Sequence, residues 1–483
     1  MENIEAQTVA AEEESRLSKP ITTRFLLKFT LPTIISFIVM GIFGTIDGIF
    51  AARGISPQAF SAVNLVSPFF IFSMAIGTTL AMGGSALVAK KKGSELMREA
   101  RENFSMLIAV AFISSMIISI VAWFVRVPLL RMLGARTGYV YVYGHGYVYD
   151  TNVFDLGLAY LQPLILMMPF IMVGIVLVQF LIAEGRPVLS MVVASVGVIT
   201  STGLNALLLF VFDMGVMGLA IATGIGNAIP AVIGIVYFAV NRKGTIYFVR
   251  GRWDVKALGR ASINGISEAI TMMATTVTTV VMNNVLINLV GWEGVAVAGM
   301  AMAVQWLLAS LFVGYSAGVA PVVSYNYGKS TAGQGQYDNL KKLYKKSLMI
   351  IGALSVAALV IVLAFSDLLI LIYVSPDDPF MGHLHEMATR GLRIVSAAFV
   401  FMGFNMFATA WFTAFNDGIV SGIMSLLRTL VFTLTLLMTL PRIWGLDGVW
   451  IALPLTEALA IMVTVFFLLK MGKKYKYREI KPV

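Results

Sequence analysis

The chain lacks cysteine and is poor in histidine and in charge. With no cysteine among its 483 residues, it has no disulfide framework, thiolate metal site or redox dithiol. The three histidines, His145, His383 and His385, are placed in connections between apolar runs, which excludes a buried zinc site. Only 12% of the residues are charged, against about 25% in ordinary globular domains. This scarcity excludes a soluble enzyme, a disordered chain and a nucleic-acid binder with a membrane anchor.

Long apolar runs make up most of the chain. Hydrophobic residues make up 58% of the chain and the mean hydropathy is +0.86. A membrane-spanning helix needs about 20 apolar residues, and twelve runs reach this length. We place them near 25–51, 60–88, 104–127, 156–182, 187–212, 215–240, 262–290, 294–322, 347–374, 390–415, 419–441 and 447–470. None alternates like a barrel strand, so the fold class is an all-α integral membrane protein with twelve transmembrane helices.

Lysine and arginine are distributed unevenly among the connections. The N-tail, the even-numbered connections and the C-tail hold 27 of the 35 Lys and Arg residues, while the odd-numbered connections hold 7. By the positive-inside rule, both termini are expected on the cytoplasmic side of the cell membrane. The net charge of +10 therefore reflects membrane topology, and no nucleic-acid partner is expected. The first residues are acidic and polar, unlike a signal peptide.

The two halves of the chain repeat short patterns in the same order. The matches pair Asp47 and Gly54 with Asn284 and Gly291 at an offset of 237, Gly83 and Gly93 with Gly318 and Gly328 at 235, and GVMGLAIA (215–222) with GLDGVWIA (445–452) at 230. We therefore expect two six-helix lobes related by an internal repeat. Their expected bounds are 25–240 and 262–470, with a cytoplasmic linker at 241–261 and cytoplasmic tails at 1–24 and 471–483. Repeats of this kind in transporters flank a cavity that opens to alternate sides.

Six motifs stand at characteristic places in these spans. They are GTIDGIFAARG in the first span, GGSALVAKKKG closing the second, EGRP opening the fifth, PVVSYNYGK closing the eighth, SLLR in the eleventh and GLDGVWIALPLTE in the twelfth. Together they resemble the multidrug and toxic compound extrusion (MATE) family in its bacterial and archaeal branches. The resemblance implies a cation-coupled exporter that works by alternating access and is driven by inward H⁺ or Na⁺, with no cofactor.

Asp47 is the one acidic residue placed well inside the spans of the first lobe. A charge at mid-bilayer costs at least about 2.5 kcal/mol, so it normally faces protein or water and has a partner. At about 1.5 Å per residue, Ser201, Asn205 and Thr223 reach similar depths in the outer half of this lobe. Their oxygens suit a monovalent cation or a hydrogen-bond network around a titrating carboxyl group. The alternative is that Asp47 is a hydrogen-bonded packing residue.

The resemblance bears on the same residues. In archaeal family members the corresponding cluster has Asp on the first span, Asn and Asp four residues apart on the fifth, and Thr on the sixth. Here Ser201 and Asn205 replace the Asn and Asp, so one carboxylate is missing. The choice between H⁺ and Na⁺ therefore stays open.

The second lobe places Arg428 within reach of two intramembrane acids, Glu268 and Glu457. An ion pair of Arg428 with Glu457 would make a buried arginine tolerable, and a purely structural role is one interpretation. The other is a second coupling or substrate site. The polar candidates for the wall of a substrate cavity are Asn283, Asn284, Gln305 and Glu268. Plain packing between helices is the alternative for the first three.

The segment TGYVYVYGHGYVYDT fills the third, external connection at 137–151. Tyr alternates with Val on both sides of GHG, which predicts a β-hairpin with a tyrosine face. Because family members generally have a shorter connection here, we interpret the hairpin as an insert. It is either an inert exposed loop or a recognition surface, and a solvated His145 is expected at its tip.

The sequence thus predicts a monomeric secondary exporter of organic, cationic or amphipathic compounds, with the lipid bilayer as its surroundings and no catalytic residues. ATP is not expected as a partner, because YGKST (327–331) has Val323 where a phosphate-binding loop requires glycine. One alternative is a lipid-linked precursor flippase of the same superfamily. Twelve spans and few intramembrane cations argue against it. The other is an intramembrane enzyme, but the spans hold no paired-acid, His-rich or Ser/Lys constellation.

Overall fold

The computed structural model describes residues 17, 19–55, 57–133, 138–142, 146–150, 152–242, 244–334, 337–373 and 382–477. Its first half contains α1 Thr23–Ile49, α2 Pro57–Gly93, α3 Met97–Met132, β1 Gly138–Val142, β2 Gly146–Asp150, α4 Asn152–Ala183, α5 Pro187–Phe210 and α6 Gly215–Val240. The second half contains α7 Val255–Val290, α8 Trp292–Lys329, α9 Tyr337–Leu371, α10 Gly382–Ser396, α11 Phe399–Ala414, α12 Gly418–Leu426, α13 Thr433–Thr439 and α14 Pro441–Tyr475. Wider π-helical turns follow α1 (Phe50–Ile55) and α8 (Ser330–Gln334), and a third joins α12 to α13 (Leu427–Phe432).

Within the described residues, eleven helices are long and apolar enough to cross a membrane. A bent pair, α10 and α11, adds a twelfth span if the two are counted together, with 54° between them. The tenth span therefore begins at Gly382, not near residue 390. The bend lies at Ala397 and Ala398, whose amides donate three residues back, to the carbonyl oxygens of Ile394 and Val395 at 3.2 and 2.9 Å, and interrupt the α-helical pattern.

The placement of His383 and His385 in a connection is wrong, because both lie in the first turn of α10. His383 Nε2 lies 3.3 Å from a carboxylate oxygen of Glu293, and His385 Nε2 lies 3.2 Å from the carbonyl oxygen of Asp367. These residues tie α10 to its neighbours. His145 is outside the described residues.

The strands β1 and β2 pair antiparallel across the third connection. The register places Tyr139 opposite Tyr149 and Tyr141 opposite Tyr147. This is the backbone pairing that the Tyr/Val alternation predicts. The turn at 143–145 lies outside the described residues.

The spans form two six-helix lobes, each with its own buried packing. Phe104 of α3 contacts Phe180 of α4 and Phe238 of α6, with ring centroids 5.0 and 4.7 Å apart. The second lobe is filled by a larger apolar cluster that includes Phe312 and Trp450. The first half of α1 joins this second cluster, since α1 packs against α8 of the other lobe.

The repeated glycines lie where the lobes touch. A methyl group added at Gly83 would lie 2.0 Å from the carbonyl oxygen of Ala261 on α7, so α2 and α7 meet backbone to backbone. Further along α2, a methyl group at Gly93 would lie 1.9 Å from the carbonyl oxygen of Tyr325 on α8. One at Gly328 would likewise meet the carbonyl oxygen of Lys90 at 2.0 Å. The lobes are therefore in direct contact at the end where α2 and α8 finish.

Candidate functional site

Asp47 lies one turn before the π-helical turn that ends the first span. This turn packs on the end of α5, where the ring centroids of Phe50 and Phe210 are 6.1 Å apart and Gly54 faces Leu209. These contacts hold the last turns of α1 against the last turns of α5. The Asp47 side chain is thereby brought to the inside of the first lobe.

Two neutral donors hold the carboxylate of Asp47. Asn205 of α5 donates from Nδ2 to Oδ1 at 2.6 Å, and Thr223 of α6 donates from Oγ1 to Oδ2 at 3.1 Å. Asn205 is fully buried, and Asp47 is partly exposed. The hydrogen bonds join the first, fifth and sixth spans of the lobe at one point, as the depth of these residues in their spans predicts.

Two buried oxygens near Asp47 have no hydrogen-bond partner within the described part of the chain. The first is Oδ1 of Asn205, the amide oxygen opposite the bond to Asp47. Ser201 lies one helical turn away on the same face, but its buried Oγ has no hydrogen-bond partner there either. Its side chain packs on Gly226 of α6. Ser201 therefore lines the cluster and is not bonded to Asp47.

Tyr160 of α4 belongs to the same cluster, although sequence reasoning did not find it. It is 7% exposed and lies close to Asp47 and Thr223. A tyrosine in an apolar span resembles any core aromatic, so no sequence signal singles it out. With Tyr160, four spans of the first lobe contribute to the site.

The second lobe holds a separate ionic network. Arg428 donates from Nε to both carboxylate oxygens of Glu457 at 2.9 and 3.0 Å, and from Nη2 to Oε1 at 2.8 Å. Asn405 donates to Oε2 of Glu457 at 2.7 Å and accepts from the hydroxyl of Thr464 at 2.7 Å. The predicted ion pair is thus present, and an amide and a hydroxyl complete it. Arg428 itself lies on the π-helical turn between α12 and α13, and such turns frequently occur at functional sites.

Glu268 lies near this network without bonding to it. Glu268 lies close to Arg428, but no hydrogen bond joins the two within the described residues. Asn283 and Gln305 are partly exposed, and Asn284 is exposed on α7. No hydrogen bond connects these three amides to Arg428 or Glu457 within the described chain. The structure therefore groups Glu268 with Arg428 but does not gather the other three around them.

The two polar clusters occupy different positions of the repeat. At an offset of 231, Arg428 and Asn405 match Gly197 and Gly174 of the first lobe, and at 230 Thr464 matches Gly234. In the first lobe these glycines let helices approach closely: a methyl group at Gly197 would lie 2.5 Å from the carbonyl oxygen of Gly226. Arg428, Asn405 and Thr464 therefore fill space that the first lobe closes with glycine, while Glu457 corresponds to Asn227.

A second ion pair, which sequence reasoning missed, lies at the opposite end of the first lobe from Asp47. Lys92 and Glu184 are 1% and 0% exposed at their side chains, and they are 3.1 Å apart. Glu184 also accepts from the amides of Thr245 and Ile246, at 2.7 and 3.1 Å. It thereby fixes the segment after α6 to the ends of α2 and α4. Its place in a connection made Glu184 look solvated in the sequence.

In the part of the chain that the structure describes, eleven apolar helices and a bent pair, arranged in two repeat-related lobes, define a multi-pass membrane protein built from two similar six-helix units. The chain belongs to the MatE family, whose model matches residues 32–207 and 268–438. The two matched stretches begin 236 residues apart (32 and 268), in agreement with the offsets of the repeated motifs. The family resemblance of the six motifs is thus confirmed.

Relatives and solved structures agree with this assignment. The chain is 25% identical over 453 residues to the multidrug export protein MepA of Staphylococcus saprophyticus, covering 92% of this chain and 93% of the relative. It is 25% identical over 451 residues to MepA of Staphylococcus aureus, with the same coverage. The fold is similar to that of MATE in complex with MaL6, with a TM-score of 0.87, 20% identity and coverage of 96% and 99%. It is also similar to an outward-facing MATE family transporter, with a TM-score of 0.83, 20% identity and coverage of 94% and 96%.

Proposed function

We propose that the protein is a secondary active exporter that expels organic cations or amphipathic compounds in exchange for H⁺ or Na⁺. The observation that carries the proposal is the Asp47 carboxylate, held between Asn205 and Thr223 inside the first lobe. The multidrug export relatives cover nearly the whole chain and support the transport class. A monomer is proposed as the working unit.

Asp47 is the proposed coupling residue because its partners are neutral. Amide and hydroxyl donors stabilise a carboxylate, but they do not neutralise its negative charge. An exchangeable proton or cation can therefore balance that charge. No cationic side chain pairs with Asp47 within the described residues. A proton on the carboxyl group would balance this charge. A Na⁺ ion at the carboxylate would do the same, and the Oδ1 of Asn205 offers it a further ligand.

Coupling then follows because the charged and the neutralised forms of Asp47 favour different packing of the first lobe. A charged Asp47 requires water or a cation near it, whereas a neutral site tolerates dry packing of α1 on α5 and α6. Alternating between the two forms would change how closely the first lobe packs. A lipophilic cation held between the lobes would be released when the packing tightens.

The proposed topology has both termini in the cytoplasm, with residues 25–240 and 262–470 as the two lobes. In this orientation the contact of Gly93 and Gly328 lies on the cytoplasmic side. Closure at that end supports an outward-facing arrangement of the lobes. The outward-facing arrangement would release substrate to the outside. An inward-facing arrangement would take up substrate from the cytoplasm.

Transport by purified protein in lipid vesicles tests the proposal. Ethidium serves as the probe, and a proton gradient and a sodium gradient are imposed separately. We expect ethidium movement against its gradient under at least one of the two, and none when both are collapsed by ionophores. Failure of correctly inserted protein to move ethidium, norfloxacin or a lipid-linked probe under either gradient would contradict an exporter. Movement of the lipid-linked probe alone would favour the flippase.

A further inference from the structure

A group of cations without an acidic partner in the described part of the chain lies where α1 and α9 begin. The α1–α9 basic patch, as we name it, comprises Arg24, Lys28, Lys342, Lys345 and Lys346. The two helices touch here, since Lys346 Nζ lies 3.5 Å from Oγ1 of Thr23. Arg24, Lys28, Lys342 and Lys345 are exposed, and none has an acidic partner within the described residues. The acid at this end of α9, Asp338, pairs with Lys341 at 3.1 Å instead.

The start of α3, in the first lobe, offers a comparison. It shows that a basic helix start can have acidic partners for its cations. This helix start is also basic, but Arg98 pairs with Glu102 at 3.1 Å, and Glu99 pairs with Lys91 at 2.8 Å. The sixth residue of α3 is Glu102, whereas the sixth residue of α9 is Lys342. Both helix starts are basic, yet Lys342 and Lys345 of α9 have no acidic partner within the described residues, whereas Arg98 of α3 has one. The exposed cations at the start of α9 can therefore bind an anion from outside the described chain.

The cations continue the apolar faces that these helices present to lipid. On α1, Arg24 and Lys28 share a face with Leu31 and Ile35, which are 54% and 39% exposed. Exposed large apolar side chains of this kind on spanning helices contact acyl chains. The cations at the start of the same face therefore lie at the level of the lipid headgroups.

The face of α9 has the same arrangement. Lys342 is followed at intervals of seven residues by Met349, Val356 and Leu363, which are 66%, 62% and 52% exposed. Lys28 and Lys342 are each the sixth residue of their helix, about 8 Å along its axis. The headgroup layer is about 5 to 8 Å thick, so both cations match its depth.

We propose that the α1–α9 basic patch binds the phosphate of an anionic phospholipid, whose acyl chains lie along Leu31 and Met349. Free phosphate offers the same anionic oxygens, but it cannot contact the apolar faces next to the basic patch. A phospholipid contacts the cations with its headgroup and the apolar faces with its acyl chains. Basic sites between spans on the cytoplasmic side bind such headgroups.

Native mass spectrometry of the full chain in detergent tests the proposal. Phosphatidylglycerol and phosphatidylcholine with identical acyl chains are titrated separately, and inorganic phosphate is added in a third arm. The test variant is Lys28→Gln/Lys342→Gln/Lys345→Gln. The matched control, Arg98→Gln/Arg250→Gln/Arg252→Gln, removes the same charge from the same end of the molecule. A third variant, with Arg at the three lysine positions, keeps the charge.

Wild-type protein should prefer phosphatidylglycerol, and the three Gln substitutions should weaken its binding about a hundredfold. The control and the Arg variant should bind like wild type, and millimolar phosphate should not displace the lipid. Equal losses in the test and control variants would overturn the proposal, as would equal binding of the two lipids. Displacement by phosphate would show a free-anion site instead. If the Gln variant unfolds, loss of binding by the folded Arg variant contradicts the proposal, and retention together with a lipid preference supports it.

Discussion

Asp47 and Glu457 are both carboxylates within spans, but their partners give them different chemistry. Glu457 is bonded to the guanidinium of Arg428, so its negative charge is balanced permanently. Asp47 has the neutral donors Asn205 and Thr223. A charge balanced by a fixed cation stabilises a structure, whereas a charge without one can respond to a gradient. This difference supports our proposal that the second lobe's network is structural and that Asp47 is the coupling residue.

Replacing Glu457 by Gln should destabilise the protein strongly. Removing one partner of a buried ion pair leaves the other charge uncompensated, and this typically costs about 3 kcal/mol or more. Glu268→Gln is the matched control, because Arg428 keeps its bonds to Glu457 in that variant. Unfolding in detergent micelles measures both effects. Equal stability of the two variants would show that the ion pair is not structural.

At the scale of helices, glycine decides where the lobes meet. Gly93 of α2 and Gly328 of α8 let two backbones approach until no methyl group fits between them. Ser94 adds a hydrogen bond from its hydroxyl to the carbonyl oxygen of Gly328 at 3.0 Å. In the proposed orientation this contact closes the cytoplasmic side.

Gly93→Ala should therefore part α2 and α8 at this end. The reporter is a cysteine at Ser324, which is fully buried on α8 and donates to the carbonyl oxygen of Ala414. Because the chain has no native cysteine, labelling of inside-out vesicles by an impermeant thiol reagent reports this position alone. Labelling should rise severalfold with Gly93→Ala. It should not change with Gly259→Ala, since a methyl group there meets nothing within 4 Å. Unchanged labelling in both would contradict a gate at Gly93.

The sequence predicts much of this arrangement, and the exceptions have physical causes. Offsets between the halves reveal the glycines, but only the folded backbone shows that they are contacts between lobes. Depth along each span brings Asp47, Asn205 and Thr223 to one level. The depth of a residue in its span cannot identify Tyr160, because an aromatic residue in an apolar span is indistinguishable from a packing residue. Depth also cannot identify Glu184, which is buried only because the segment after α6 folds over it.

At the scale of the whole molecule, the duplicated lobes have the same spans but different polar interiors. Arg428, Asn405 and Thr464 correspond to glycines in the first lobe, and Glu457 corresponds to Asn227. In the other direction, Asn205 and Thr223 correspond to Leu436 and Leu453 in the second lobe. The Asp47 cluster and the Arg428 network therefore lie at different places in the repeat. The two halves share one architecture, and the proposed coupling site is separate from the ionic network.

Single cysteines test the topology that this account assumes. Exposed positions are needed, which excludes Lys92 because its side chain is buried. Cysteines at Arg252 and Lys342 should react with an impermeant reagent only after lysis, while one at Asp213, exposed between α5 and α6, should react in intact cells. The reverse pattern would invert the molecule in the membrane.

The most direct test of the central claim is ethidium efflux by Asp47→Asn protein in lipid vesicles under separately imposed H⁺ and Na⁺ gradients. Asn keeps the shape of the side chain and removes its charge, so insertion and thermal unfolding should match wild type. Asp213→Asn, the same change at an exposed site of the same lobe, is the control and should transport normally. Efflux by the Asp47→Asn protein should fall close to background under both gradients. Full gradient-driven efflux by this variant would contradict the account and move the coupling site to the second lobe.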